Sequence, residues 1–341
     1  MSAPTTAGTE ELLDRLRADA ARLEREGVGR DDVAELARAG LLAVYGPPEL
    51  GGLPRPAARE VAEQLAGASP DAWFVWFQHG PVVRMLAASD HDGLKDRYLP
   101  QLCAGAVQGG VAYSHLRTPK PSVLARRVRG GWSLTGPQPW CTGWPLVDVV
   151  LAGALDPEGD QVVFGLVPAG DRPELHSTGE LRLAAMGGTR THALAFDALV
   201  VPDDAVVAVR DRGEFTAYDT ALNANVQPST FGVARAALDL LAERQPAVAD
   251  QLSARLTGLR TTAYRLLDEV PGDERLEERL AVRAQALLLA LECCTALLTA
   301  RGGQGMDLAD PSQRLLRAAA FQLVHSQAAH VRAATLDALL S

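Results

Sequence analysis

Hydrophobic positions change their period twice along the chain. From about Thr9 to Leu116 they recur at helical spacing: "EELLDRLRADAARLE" and "RDDVAELARAGLLAVY" each present an apolar stripe, and Asp31 and Asp32 stand where they can cap the second helix. "GPPELGG" stops that helix, and "PRPAAREVAEQLAGA", "SPDAWFVWFQHGPVVRMLAA" and "DHDGLKDRYLPQLCAGA" resume the helical pattern. From about Val123 to Val209 the period drops to two. "RVRGGWSLTG" is a hairpin signature around Gly130 and Gly131, and "LVDVVLAGAL", "QVVFGLVPAG" and "THALAFDALVVP" read as strands between Asp, Gly and Pro turns. No helices separate these strands, so the block predicts a small antiparallel barrel or sandwich rather than a doubly wound sheet.

From about Glu214 to Leu340 the helical period returns in four long segments: "STFGVARAALDLLAER", "VADQLSARLTGLRTTAYRLLDEV", "LEERLAVRAQALLLALECCTALLTAR" and "PSQRLLRAAAFQLVHSQAAHVRAATLDALL". Their lengths suit an antiparallel four-helix bundle. The whole pattern predicts a mostly helical α+β chain with an N-terminal helical domain over residues 1–116, a central β domain over 117–212 and a C-terminal bundle over 213–341.

Composition narrows the function. The chain has 341 residues and a formal net charge of −9, and its pI is near 5.3. Nucleic acid and anionic membrane both need a cationic face, so neither is expected as a partner. No apolar run approaches the ~20 residues of a membrane span, and the N-terminus has no hydrophobic signal core, so a cytoplasmic protein is expected. Cys103, Cys141, Cys293 and Cys294 have no metal-ligand spacing, and no metal is expected. The adjacent pair in "LLLALECCTALL" reads as two small buried hydrophobes.

The stretch "PQPWCTGWPLVDVVLAGA" places Trp140, Thr142 and Trp144 on a Gly/Pro turn beside a buried strand. Core packing is one reason for such a turn; a flat ligand lying on it is another. With "ELARAGLLAVYGPPELGG", "LKDRYLPQLCAGAVQGGVAYS", "LRLAAMGGTRTHALAFDALVVPDDAVV" and "TARGGQGMDLADPSQRLLRAA", in that order, it resembles the acyl-CoA dehydrogenase superfamily over nearly the whole chain. That resemblance implies a flavin, FAD or FMN. It places Trp140, Cys141, Thr142 and Gly143 against the ring, and Gly302, Gly303 and Gly305 in the family's Gly-Gly-x-Gly turn. A flat ring favours an apolar neighbour, and its polar edge favours donors fixed at a turn.

The resemblance also supplies a test of chemistry. Desaturation of an acyl thioester needs a carboxylate to remove the α-proton. Where the family usually carries that glutamate, this chain has His325; at the family's second location it has Leu222, with Asp219 one helical turn earlier. The pattern is closer to the monooxygenase branch, in which His325 on the last helix and His79 in "WFVWFQHG" would face the ring. Two imidazoles titrating near ~6.5, with the Thr142 hydroxyl, would then hydrogen-bond and protonate oxygen bound by the reduced flavin. Ser114, at the start of the sheet, would shape the pocket. His330, five residues beyond His325 on one helix, would turn away by roughly 140°.

Two departures matter. The family's Gly-rich phosphate loop is here "LRTPKPSVLARR", with two prolines and no glycine, so Lys120, Ser122, Arg126 and Arg127 are the available substitutes for backbone donors. The Phe-Gly that follows an arginine in the family's bundle is missing from "AERQPAVADQLSARL". The resulting expectation is a flavin-dependent oxidoreductase, leaning to an oxygen-using monooxygenase or oxidase, on a small-molecule or acyl-thioester substrate, and a homodimer or homotetramer. The alternatives are an acyl-CoA dehydrogenase with a displaced base and a flavin-free partner subunit.

Overall fold

The computed structural model describes residues 7–326 and 328–340. Helix α1 (Ala7–Glu26) buries Leu12, Leu13, Leu16, Ala20 and Leu23, one face at helical spacing. Helix α2 (Arg30–Arg38) is shorter than its apolar stripe predicts. Gly40 takes a left-handed φ of +73°, and Leu41–Ala43 continue as a 3-10 turn. Helices α3 (Arg55–Ala68), α4 (Pro70–Ala87) and α5 (Asp92–Ala104) follow. Ser69 caps α4 and Pro70 occupies its first turn. Pro81, inside α4, withholds the N–H that would otherwise bond the Phe77 carbonyl.

The eight strands form one mixed sheet in the order β6-β7-β3-β2-β4-β5-β8, with β1 also paired to β4. Their ranges are β1 (Gly109–Ala112), β2 (Leu124–Val128), β3 (Gly131–Cys141), β4 (Val149–Asp156), β5 (Gln161–Pro168), β6 (Leu175–Glu180), β7 (His192–Pro202) and β8 (Val206–Asp211). The expected hairpin is present: β2 and β3 pair antiparallel around Arg129 and Gly130, with Val128 opposite Gly131. The expectation of a wholly antiparallel block needs amending, because β1 runs parallel to β4 from Gly109/Val149 to Ala112/Ala152, and β2 meets β4 in parallel at Leu124/Leu155. Every residue of β4 is buried. Val150, Ala152 and Ala154 enter a core made of sheet and turn residues, while Val149 and Leu151 enter one shared with α4 and α5.

Helices α6 (Arg212–Asn223), α7 (Pro228–Ala242), α8 (Pro246–Glu269) and α9 (Leu276–Arg301) come next. The last apolar segment divides into α10 (Pro311–Gln322) and α11 (Ala329–Ala338), where the sequence pattern predicts one continuous helix. The span Leu276–Met306, which contains α9, is long and apolar enough to cross a membrane by length and composition, yet 56% of that window is buried inside the protein. It packs against α7, α8, α10 and α11.

The two helical blocks share one core. Leu16, Leu65 and Trp73 from the N-terminal helices cluster with Phe231, Leu266 and Leu289 from the bundle. Helices α3 and α7 approach so closely at Gly67 and Gly232 that a Cβ on Gly232 would lie 2.1 Å from the Glu63 carbonyl oxygen. Beside that crossing the Glu63 side chain is fully buried; Arg260 donates to it at 2.8 Å, and Arg235 and the Tyr264 hydroxyl also bond it. Burial is the main influence on its carboxyl and pushes its pKa up, against the pull of Tyr264 and both arginines.

Candidate functional site

A cavity of about 850 Å³ opens where α4, the sheet and the bundle meet. Its walls come from Phe74 and Phe77 on α4, the turn after β1, the end of β3, the loop Leu183–Ala185, the last turn of α6 and the turn after α10. Ser114, Trp140, Thr142 and His325 all line it. Four of the residues expected from sequence are therefore brought together from segments more than 200 positions apart.

Trp140 is 48% exposed, an unusual setting for tryptophan, while Cys141 beside it is fully buried in the sheet core. Cys141 does not line the cavity, and burial pushes its thiol up to about 12. Gly143 takes a left-handed φ of +72° and donates its N–H to the Thr189 carbonyl at 2.9 Å, which turns the chain at the end of β3. It is a turn residue with no wall of the cavity of its own. The Thr189 hydroxyl donates to the Met186 carbonyl at 2.7 Å and lies 2.8 Å from the Thr191 hydroxyl, and Thr191 donates to Thr142 at 3.1 Å. Thr142 thus stands at the cavity end of a chain of three threonine hydroxyls. The Ser114 Oγ is a buried atom with no partner.

His325 sits in a box of rings. Phe321 stacks on it at 5.1 Å between centroids, while Trp73, Phe74 and Phe77 meet it edge-on at 5.8, 5.1 and 5.3 Å. Its Nε2 lies 3.3 Å from the Ser326 hydroxyl, and its Nδ1 has no partner. Burial first, then the charges of Arg283 and Arg117, push its pKa down to about 3. The ordinary histidine value expected from sequence is thus corrected: in this apolar box the imidazole is neutral at neutral pH. His325 also lies past the end of α10, in the turn that separates it from α11, so His330 starts a different helix and its 140° displacement does not apply.

His79 is placed elsewhere than expected. It is 1% exposed, lies outside the cavity lining, and its Nδ1 accepts the Gly109 N–H at 3.0 Å. Burial pushes its pKa down to about 4. It ties α4 to β1 and does not touch the cavity, because its side of α4 packs on the sheet. Gly302, Gly303 and Gly305 form the 3-10 turn Gly302–Met306 between α9 and α10 and also lie outside the cavity lining. Leu222 and Asn223 do line it.

No Asp or Glu is among the described residues that line the cavity. Asp219 is held behind the wall by Arg117, whose Nε and Nη2 reach its carboxylate at 3.0–3.1 Å. Both of its oxygens are engaged by the guanidinium, which turns the carboxylate toward Arg117 and away from the cavity lining. Arg117 is the residue that sequence reasoning missed. Its signal was a charged side chain three positions after Ser114 in a loop otherwise read for phosphate donors. The loop itself offers few: Thr118 donates to the carbonyls of His115 and Lys120, Ser122 donates to that of Pro137, and Arg127 pairs with Asp203.

Residues 9–106 match the family model described as "Acyl-CoA dehydrogenase, N-terminal domain". A mitochondrial 2-methylacyl-CoA dehydrogenase of Solanum tuberosum is 27% identical over 177 residues, 50% of this chain and 42% of that protein, so the chain spans less than half the length of that relative. Among solved structures, butyryl-CoA dehydrogenase from Megasphaera elsdenii superposes with a TM-score of 0.79 at 16% identity, covering 100% of both chains. Dibenzothiophene monooxygenase from Paenibacillus sp. A11-2 gives 0.77 at 20% identity, covering 97% of this chain and 95% of that one. A glutaryl-coenzyme A dehydrogenase in complex with glutaryl-CoA gives 0.79 at 17%, covering 99% and 97%. At these identities the structural matches establish shared fold. Residues 9–106 thus match an acyl-CoA dehydrogenase N-terminal family model, and the chain as a whole has an acyl-CoA dehydrogenase-like fold.

Proposed function

We propose that the chain is a flavin-dependent oxidoreductase of the monooxygenase or oxidase type, with residues 1–116, 117–212 and 213–341 meeting at the cavity. The observation that carries this reading is a cavity lined by Trp140, Thr142, Ser114 and a neutral His325 but by no carboxylate. A flavin ring fits one end of it on three counts: a half-exposed indole to lie against, a threonine hydroxyl on the wall, and a buried serine oxygen that lacks a partner. The diphosphate end fits less well, since the loop hydroxyls at Thr118 and Ser122 are spent on carbonyls and Pro119 and Pro121 have no N–H. This favours FMN, or a reduced flavin that visits, over a tightly held FAD.

When bound, the flavin supplies electrons to oxygen or takes hydride from a substrate. The protein's own residues do the rest. Trp140 and the Phe74, Phe77 and Phe321 rings exclude water, Thr142 and Ser114 hold the ring's polar edge, and His325 offers one nitrogen as donor or acceptor beside it. The dehydrogenase alternative needs a base, and Asp219 is committed to Arg117. The similar proteins include dehydrogenases and a monooxygenase; the cavity lining without a carboxylate favours the latter reading for this chain. A homodimer or homotetramer remains part of the proposal, since Leu336, Leu339 and Leu340 are exposed at the end of the bundle.

The test is oxygen consumption supported by chemically reduced FMN. The wild-type protein accelerates or couples it to substrate oxidation. The His325→Ala variant loses about a hundredfold or more, the usual scale of a lost proton-transfer group, while still binding riboflavin. Undiminished activity in that variant removes His325 from the reaction.

A further inference from the structure

The protein carries 42 acidic residues against 33 Lys and Arg, yet the cavity lining reverses that balance, with Arg84, Arg117 and Arg332 and no acid. Two of these guanidiniums, Arg84 and Arg117, act on the same lining residue, Tyr113. Arg84, on α4, lies over the Tyr45 ring at 5.0 Å, a contact that fixes its position without neutralising it, and it has no carboxylate partner among the described residues. Arg117 gives Nε and Nη2 to Asp219 and leaves Nη1 outside the pair. Tyr113, also on the cavity wall, feels the charge of both. Burial pushes its phenol pKa up, and the charges of Arg117 and then Arg84 oppose that rise. Its hydroxyl therefore stays a protonated donor.

We propose that this Arg84–Tyr113–Arg117 corner is an oxyanion subsite that makes the cavity select a ligand bearing a phosphate or carboxylate. Asp219 acts here as a positioning residue: it offsets part of the Arg117 charge and fixes its plane, so that Nη1 and the Tyr113 hydroxyl present donors in a set direction. A low-dielectric cleft with unbalanced positive charge concentrates anions and discriminates against neutral analogues, whose binding would leave the guanidinium without compensation. The anion has two sources, the 5′-phosphate of FMN or an acidic group on the substrate. The inference rests on the cavity being the flavin and substrate site, and the experiment separates the two ideas.

Two titrations are made on the wild type, Arg84→Gln and Arg84→Lys: FMN against riboflavin by flavin fluorescence, and phenyl phosphate against phenol by calorimetry on the riboflavin-saturated and flavin-free protein. Arg84 is exposed, so the variants keep the fold. The wild type prefers the phosphorylated member of at least one pair by roughly tenfold or more, the scale of one charge-assisted hydrogen bond. Arg84→Gln removes that preference without weakening the neutral member, and Arg84→Lys retains part of it. Loss for FMN alone assigns the corner to the flavin phosphate, and loss for phenyl phosphate alone assigns it to the substrate. Equal affinities within both pairs, or preferences untouched by Arg84→Gln, overturn the subsite. If riboflavin fails to bind while phenyl phosphate is still preferred over phenol, the flavin reading falls and the subsite stands.

Discussion

His325 is neutral because six neighbouring groups make its charged form costly: four aromatic rings remove water, and Arg283 and then Arg117 add like charge. The consequence for stability has a definite sign. An unfolded histidine titrates near ~6.5, while the folded one holds off its proton until about 3. Folding stability from this residue is complete above pH 6.5 and drains away as pH falls toward 3, by roughly 2 kcal/mol at pH 5. Asp71, whose carboxyl burial and Glu24 push up to about 6, works in the opposite direction. The useful quantity is therefore the difference between wild type and His325→Asn in urea unfolding at pH 7 and pH 5. The wild type loses more stability than the variant between the two; equal losses contradict the buried neutral imidazole. Sequence placed His325 at the cavity but not its protonation state, because three of the four rings that set it, Trp73, Phe74 and Phe77, come from α4, far along the chain.

At the scale of elements, the cavity exists because two helices stop beside it. Helix α6 ends at Asn223 and α10 at Gln322, and the carbonyls beyond each end need donors. Arg283 on α9, 1% exposed, supplies them: it bonds the Asn223 and Asn225 carbonyls on one side and the His325 carbonyl at 3.0 Å on the other. Burial pushes its pKa down to about 10, so it remains charged at neutral pH. Arg283→Met leaves those carbonyls unpaired, which costs on the order of 2–4 kcal/mol. It also speeds amide exchange at 223–227 and 323–326 relative to the rest of the bundle; uniform exchange in the variant would refute the stitching role. The helical and strand segments themselves were legible from period alone. The break between α10 and α11 was not, because apolar positions continue through 323–331 without Gly or Pro and the break depends on a donor supplied by a different helix.

For the whole molecule, the order of helices, sheet and bundle was readable in the sequence, and so was the assembly of Ser114, Trp140, Thr142 and His325. What escaped it was long-range: His79 turned to the sheet, Asp219 locked by Arg117, and an N-terminal block that shares its core with the bundle through the Gly67–Gly232 crossing. Each depends on side-chain direction across elements, which periodicity does not encode. The central claim is that a flavin ring lies in this cavity against Trp140, whose indole is 48% exposed. The most direct measurement is quenching of riboflavin fluorescence on titration with wild-type protein and with Trp140→Ala at equal folded concentration. The account predicts saturable quenching by the wild type and a loss of most of that quenching in the variant; no saturable quenching by the wild type, or identical curves for both, would contradict it.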